Sequence, residues 1–246
     1  MKQLVVTLAL FANCAAWAQP RTVLAVLAHP DDEVWWGASA MMARYAKEGH
    51  KVYLATVTLG QIGVTSWANI PAGPELGAAR EEELKCSAAA LGIEPPIVLG
   101  FFDQGLTANV VMDGTAKILR KIINDIRPEV VITHGPEGVS GHIDHRVTSA
   151  VTTEVFQEQA RLAHGPSKLY YIAYPTGRIP LAAGATDGRR VYRTVGEPFI
   201  TTEVESSAGN GAMDAALECH KSQASAADVR TLKAPTCRAS CSCASP

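Results

Sequence analysis

The stretch Val23-Leu24-Ala25-Val26-Leu27-Ala28-His29-Pro30-Asp31-Asp32-Glu33 decides the fold. Its first five residues are apolar and uncharged, which reads as a short strand buried on both faces. The next residues place one imidazole and three carboxylates within five positions, where the strand ends and a helix begins. Pro30 followed by acids is also an ordinary helix start, with the carboxylates complementing the helix dipole. In an open parallel sheet, however, the carboxyl end of a strand is where ligands bind.

A second cluster repeats the arrangement far along the chain. The apolar run Val130-Val131-Ile132-Thr133 precedes His142-Ile143-Asp144-His145, which again opens a helix. Two strand ends carrying His and Asp point to one shared site.

Working outward, apolar periodicity predicts strands at 23–27, 51–58, 97–100, 129–133 and 169–173. Helices are predicted at 34–47, 76–91, 113–126 and 145–161, with a hairpin over 191–204 and a last helix over 213–223. Strands separated by helices of this length imply right-handed βαβ units. The expected fold is therefore α/β and Rossmann-like: one domain with a mostly parallel sheet and helices on both faces. The loop over 60–77 leaves the carboxyl end of the second strand, carries Trp67 and is placed to act as a lid.

The first residues read as a secretory signal peptide: Lys2, an apolar stretch over 4–12, then Ala16-Trp17-Ala18, with cleavage expected after Ala18. That stretch is too short to span a bilayer, and no later one is long enough. The expectation is a secreted or periplasmic protein with residues 1–18 as leader, 19–223 as catalytic domain and 224–246 as a disordered tail. The chain has 22 basic and 24 acidic residues, so nothing suggests a nucleic-acid partner or stable membrane insertion. Cys86 and Cys219 fall in predicted helices and are expected as small core residues rather than a bridge. Cys237, Cys241 and Cys243 lack a clear fourth metal ligand.

His29 and Asp32 lie three apart in a tight turn, and His142 and His145 are three apart at a helix start. Any three of these four would form a metal site with two imidazoles and a carboxylate, or a close relative, suited to zinc and also to ferrous iron. No G-x-G-x-x-G follows a strand and no G-x-S-x-G elbow occurs, and the Gly-rich run over 135–141 lacks the Lys-Ser/Thr ending of a phosphate loop.

Ala28-His29-Pro30-Asp31-Asp32-Glu33 together with His142-x-Asp144-His145 resembles the LmbE-like (PIG-L) family of metal-dependent N-deacetylases. Weaker blocks match in order: Gly77-x-x-Arg80-x-x-Glu83, Gly100-Phe101-Phe102-Asp103 and His220-x-Ser222-Gln223, so the resemblance covers roughly 22–223. It implies zinc held by His29, Asp32 and His145, with Asp31 as general base. It implies further that His142, charged, stabilises the oxyanion and protonates the leaving amine, and that Asp144 tunes His142. Arg80, Asp103 and His220 would contact substrate, an N-acylated amino sugar or glycoconjugate. Each of these last three also has a plain reading: Arg80 on a solvated helix face, Asp103 in a turn, His220 as a structural histidine. His134, ending a strand, is placed to support the pocket from behind. Gln104 stands where the family often has glycine. The alternatives are an amidase acting on a larger acyl or peptide-like bond, and a sugar-binding protein without catalysis.

Overall fold

The apolar run at 23–27 lies within strand β1 (Thr22–Leu27) of a computed structural model that describes residues 20–176, 193–232 and 241–244. β2 (Lys51–Thr58) and β4 (Val130–His134) flank β1, with β3 (Ile97–Phe101) beyond β2 and β5 (Lys168–Ala173) beyond β4. All these pairings are parallel, and Leu24 lies between Tyr53 and Val131 in register. β1 and β4 are neighbours in space, but three crossovers and the two strands β2 and β3 separate them in sequence. The chain direction across the sheet reverses between them, and the crevice at their carboxyl ends is where such sheets bind ligands.

Helices fill the connections. α1 (Asp32–Trp35) and α2 (Ala38–Lys47) follow β1, α3 (Pro74–Leu91) follows β2, α4 (Asn109–Ile126) follows β3, and α5 (Ile143–Gln159) follows β4. α6 (Asn210–Cys219) comes later and packs on α3 and α2. The two-residue period of β1 divides the core. Val23, Ala25 and Leu27 join the cluster that includes Met42 of α2, Leu84 of α3 and Leu217 of α6, whereas Leu24 and Val26 join Leu119 of α4 and Val151 of α5. Both faces of the sheet are thus covered, and full burial of each such leucine contributes roughly 1.5–3 kcal/mol. Among the described residues, no helix is long and apolar enough to cross a membrane.

The fold is the expected single α/β domain, with local differences that have identifiable causes. The helix predicted over 34–47 is broken at Gly37, whose φ of 86° favours glycine and turns α1 away from α2. α3 begins at Pro74, a good first helical residue, so the lid-like loop ends at Gly73 rather than at residue 77. Of the hairpin expected over 191–204, the described part holds β6 (Thr202–Val204). The leader expected at 1–18 lies outside the described residues.

Two expectations are corrected. Residues 224–246 were expected as a structureless tail, yet they contain α7 (Ala226–Leu232) and β7 (Cys241–Ala244). β7 pairs antiparallel with both β5 and β6 and extends the sheet to seven strands. Cys86 and Cys219, expected as separate core residues, form a disulfide with Cα atoms 5.7 Å apart. Helical periodicity along α3 or α6 alone could not reveal it, because the pairing follows from how those helices pack. Cys86 lies on the exposed side of α3, facing the end of α6 rather than the core.

Candidate metal and catalytic centre

The carboxyl ends of β1 and β4 deliver the two clusters to one place. His29, Asp31, Asp32, His142 and His145 all line a cleft of about 790 Å³, within the range of small-molecule sites. Trp35, Trp67 and Arg193 are among its walls. A smaller cleft of about 270 Å³ lies near the opposite ends of β1, β4 and β5, among Val23, Val130 and Tyr170, and holds no clustered imidazoles and carboxylates.

The three residues that the family resemblance assigns to metal converge. His29 Nδ1 lies 3.2 Å from His145 Nε2 and 3.4 Å from Asp32 Oδ2, and Asp32 Oδ1 lies 3.2 Å from His145 Nε2. Ligands about 2.0–2.1 Å from a tetrahedral ion are roughly 3.3–3.4 Å apart, a spacing that the two rings make with each other and that each makes with a different oxygen of Asp32. The outer atoms of both rings support the same use. His145 Nδ1 faces the Gly138 carbonyl oxygen at 3.0 Å and so carries the proton, leaving Nε2 with a lone pair. His29 Nε2 faces Asp103 Oδ1 at 3.3 Å and Asp144 Oδ2 at 3.4 Å, so a neutral His29 presents its lone pair at Nδ1. Two lone pairs 3.2 Å apart beside a carboxylate call for positive charge between them, supplied by a metal ion or by a second proton on His29. The same surroundings favour positive charge on His29 itself. Burial alone would lower its pKa, but the charge of Asp32 and hydrogen bonds to Asp103, Asp144 and Asp32 raise it well above the usual value.

Asp32 is buried and ionised. Burial favours its neutral form, yet His145 and His29 outweigh that and hold its pKa well below the carboxylate range. The backbone N–H of His29 donates to Oδ2 at 2.8 Å and the Trp36 indole donates to Oδ1 at 2.8 Å, which fixes the carboxylate plane. His134 is completely buried at the end of β4 and stacks on His145 with centroids 4.1 Å apart. Its Nε2 accepts the Ala28 N–H at 3.1 Å and lies 3.3 Å from Asp32 Oδ2. Burial, then the nearby His145, lower its pKa to about 4, so it stays neutral. His134 therefore ties the ends of β1 and β4 together beneath the site. Other groupings of metal-binding residue types overlap here: His29, His142 and His145, or Asp32, His134 and His145.

Asp31 sits one residue from Asp32 with φ 97° and ψ −21°, a left-handed conformation that costs a non-glycine residue roughly 1–3 kcal/mol. That twist turns its side chain away from Asp32 and towards Arg80, whose Nη2 donates to Asp31 Oδ1 at 2.9 Å. Burial raises the Asp31 carboxyl to about 6, against the pull of Arg80 and with a smaller push from Asp32. A carboxylate tuned so close to neutrality suits proton transfer. His142 caps the N-terminus of α5: its Nδ1 accepts the Asp144 N–H at 3.2 Å. A ring accepting at Nδ1 carries a proton on Nε2, so His142 offers an N–H donor.

The remaining residues make contacts that their spacing does not announce. Asp144 was expected to tune His142, but its carboxylate accepts the Gln104 N–H at 2.6 Å and faces His29. Gln104 reaches it from a left-handed position with φ 61°, which explains why glycine is at home there. Asp103, expected as a substrate contact, lines the cleft and braces His29; burial works against its charge, but the hydrogen bond and charge of His29 bring its pKa to about 2. Arg80 is not on a solvated helix face: it is buried in the wall of the cleft and donates to the carbonyls of Gly60, at 2.8 Å, and of Pro30. A Cβ at Gly60 would lie 2.1 Å from Arg80 Nη1, so the loop has glycine where the guanidinium passes. His220, also expected as a substrate contact, is completely buried and pairs with Glu33.

The sequence reading missed Glu33, taken as a helix-start acid, and the anchors of the lid. The Trp67 indole donates to the Lys221 carbonyl at 3.2 Å, Thr65 Oγ1 to the Ser222 carbonyl at 2.7 Å, and Gln223 Nε2 to the Gly63 carbonyl at 2.9 Å. The one signal in the sequence was the His220-x-Ser222-Gln223 block, whose role as a dock for the loop depends on the fold.

Comparison with known proteins agrees with this geometry. A 1D-myo-inositol 2-acetamido-2-deoxy-alpha-D-glucopyranoside deacetylase of Catenulispora acidiphila is 30% identical, over 84% of this chain and 81% of its own length. The fold is shared with the N,N'-diacetylchitobiose deacetylase of Pyrococcus horikoshii (TM-score 0.65, 21% identity, 87% of this chain and 75% of that one). It is also shared with GalB, the 4-carboxy-2-hydroxymuconate hydratase of Pseudomonas putida (TM-score 0.62, 19% identity, 82% and 80%). A fold that serves both a deacetylase and a hydratase does not by itself choose the chemistry. Residues 24–156, from β1 through most of α5, match the family described as PIG-L, GlcNAc-PI de-N-acetylase. That match contains both His-Asp turns and the strands that bring them together, and the chain belongs to the PIG-L (LmbE-like) family.

Proposed function

We propose that this chain is a zinc-dependent deacetylase that hydrolyses the acetamide of an N-acetylglucosamine-containing glycoconjugate. The observation that carries the reading is the convergence of His29 Nδ1, His145 Nε2 and the Asp32 carboxylate, 3.2–3.4 Å apart, beside a carboxyl near neutrality. The named activities of the relatives support the choice of an amino-sugar amide. A divalent ion held by His29, Asp32 and His145 would supply Lewis acidity, polarising an acyl carbonyl and making water acidic enough to lose a proton near neutral pH. Ferrous iron suits the same donors.

The chain's own residues carry the proton transfers. Asp31 accepts the proton of the attacking water, and Arg80 holds its carboxylate in place. His142, held by the Asp144 N–H, presents Nε2–H to the carbonyl oxygen as charge develops there, and the proton that Asp31 takes from water passes to the departing amine. Asp103 and Asp144 hold the His29 ring and keep its proton on the nitrogen away from the site.

The test is acetate release from a panel of N-acetylglucosaminides by the purified protein, stripped with chelator and restored with zinc. Activity should vanish and return, and Asp31→Asn should keep bound metal while losing about 10²–10⁴-fold in turnover. Metal without acetate release from any amide of the panel would overturn the reading. The secreted or periplasmic location is part of the same proposal. It is supported by the leader-like composition of residues 1–18 and by the Cys86–Cys219 disulfide, a bond that persists in oxidising compartments. N-terminal sequencing of the exported protein checks it.

A further inference from the structure

We propose that Glu33 and His220 form a buried positioning pair that holds Asp31 in its working pose, with Cys86–Cys219 fastening the pair to α3. The inference rests on the reading of Asp31 as general base. Both oxygens of Glu33 are used. Oε2 accepts the backbone N–H of Asp31 at 3.0 Å, while Oε1 accepts from His220 Nε2 at 2.6 Å and from Ser87 Oγ at 2.6 Å. Glu33 and His220 are both 0% exposed, so neither touches a substrate. A helix-start acid that only complemented a dipole would sit in water. Burying a carboxylate completely is costly, and here it is met by a histidine brought from 187 residues away.

What Glu33 grips explains the arrangement. Asp31 occupies a left-handed conformation that its own side chain does not favour, and its N–H must point inwards for the carboxylate to point into the cleft. Glu33 holds that N–H, and Arg80 holds the carboxylate at the other end. α3 supplies the frame. Arg80, Glu83 and Ser87 recur at helical spacing on one side, meeting Asp31, Ser222 and Glu33 in turn. Ser222 donates to Glu83 through both N–H and Oγ at 2.7 Å. The disulfide joins Cys86 of α3 to Cys219, the residue before His220. His220 is therefore flanked on both sides by links to α3, and loss of either would let it drift from Glu33.

The experiment uses the full chain loaded with zinc, with kcat, KM and zinc content measured for Glu33→Gln, Asp31→Asn and the double variant. Exchange of the Asp31 amide is followed by NMR. Glu33→Gln should lower kcat on the order of 10²-fold, the usual cost of a small misplacement. KM and zinc content should stay unchanged and the Asp31 amide should exchange faster. In the Asp31→Asn background the same change should cost nothing further, because the pair acts through Asp31. If Glu33→Gln does not fold, Ser87→Ala and His220→Asn carry the same cycle, and Cys86→Ser/Cys219→Ser should lose part of kcat in the same way. Unchanged kcat, an equal loss in the Asp31→Asn background, or a raised KM with kcat intact for His220→Asn would each overturn the proposal. Equal turnover by the wild type and Asp31→Asn would instead refute the base assignment, and amide exchange would still report whether Glu33 holds Asp31.

Discussion

Removing the disulfide is the perturbation whose size follows most directly from the structure. Cys86 and Cys219 are 133 residues apart in the chain, so their bond closes most of the domain into one loop. In the chain-entropy account a loop of that length is worth about 5 kcal/mol at 25 °C, and bonds of this kind deliver about 2–4 kcal/mol in practice. For a domain of this size each kcal/mol moves the melting temperature by about 2–4 °C, so Cys86→Ser/Cys219→Ser should melt roughly 4–16 °C lower. Reduction of the wild type provides the control, since it cuts the crosslink without placing a hydroxyl where sulfur was. Cys86 is exposed, which gives a reductant access and makes serine there tolerable. The assay is thermal unfolding of oxidised wild type, reduced wild type and the double variant, with free-thiol titration of each. The two perturbed samples should agree. A melting temperature within about 2 °C of wild type in both, or free thiols at both positions in the oxidised protein, would refute the pairing.

Two further outcomes follow from the site. Asp103→Asn removes the charge that braces His29 Nε2 and should weaken zinc affinity by about 10–100-fold, measured by competition with a chromogenic chelator; unchanged affinity would mean that Asp144 alone holds the ring. The Glu33–His220 pair should give stability its own pH window. Burial opposes both charges, but each partner outweighs it for the other, so the Glu33 pKa falls below 4.5 and the His220 pKa rises above 6.5. The Glu33 contribution is present above 4.5 and fades as pH falls through its folded value; that of His220 is complete below 6.5 and fades as pH rises through its folded value. The stability difference between wild type and His220→Asn, from urea midpoints, should therefore peak between those limits, and a flat difference would rule out a charged pair.

Much of this architecture was legible in the chain because it depends on local pattern. Apolar runs of strand length alternating with helical ones specify a parallel sheet, and the residues at the ends of β1 and β4 then lie at a known edge of it. That is enough to collect His29, Asp31, Asp32, His142 and His145 at one place. Gly37 was less legible: a glycine inside a helical pattern is usually tolerated, and only the packing of α1 against the site requires the break. β7 was hidden because a short Ser/Ala/Cys segment becomes a strand only when edges exist on both sides to pair with it.

The roles of the supporting residues depended on which atoms meet. Arg80, Asp103, Asp144 and His220 were all singled out, but the buried partners that hold them were not. A side chain that can reach a ligand can also reach a buried neighbour, and sequence spacing does not say which comes first. Burial decides it, because a charge withdrawn from water must find a partner inside the protein. What the sequence by itself determined was the sheet, the two strand ends and the chemical character of the site, all set by periodicity and residue type. Only the tertiary structure decided how Asp31 is held, why His29 offers Nδ1, and that α3 and α6 are joined by a disulfide, since each rests on contacts between residues distant in the chain.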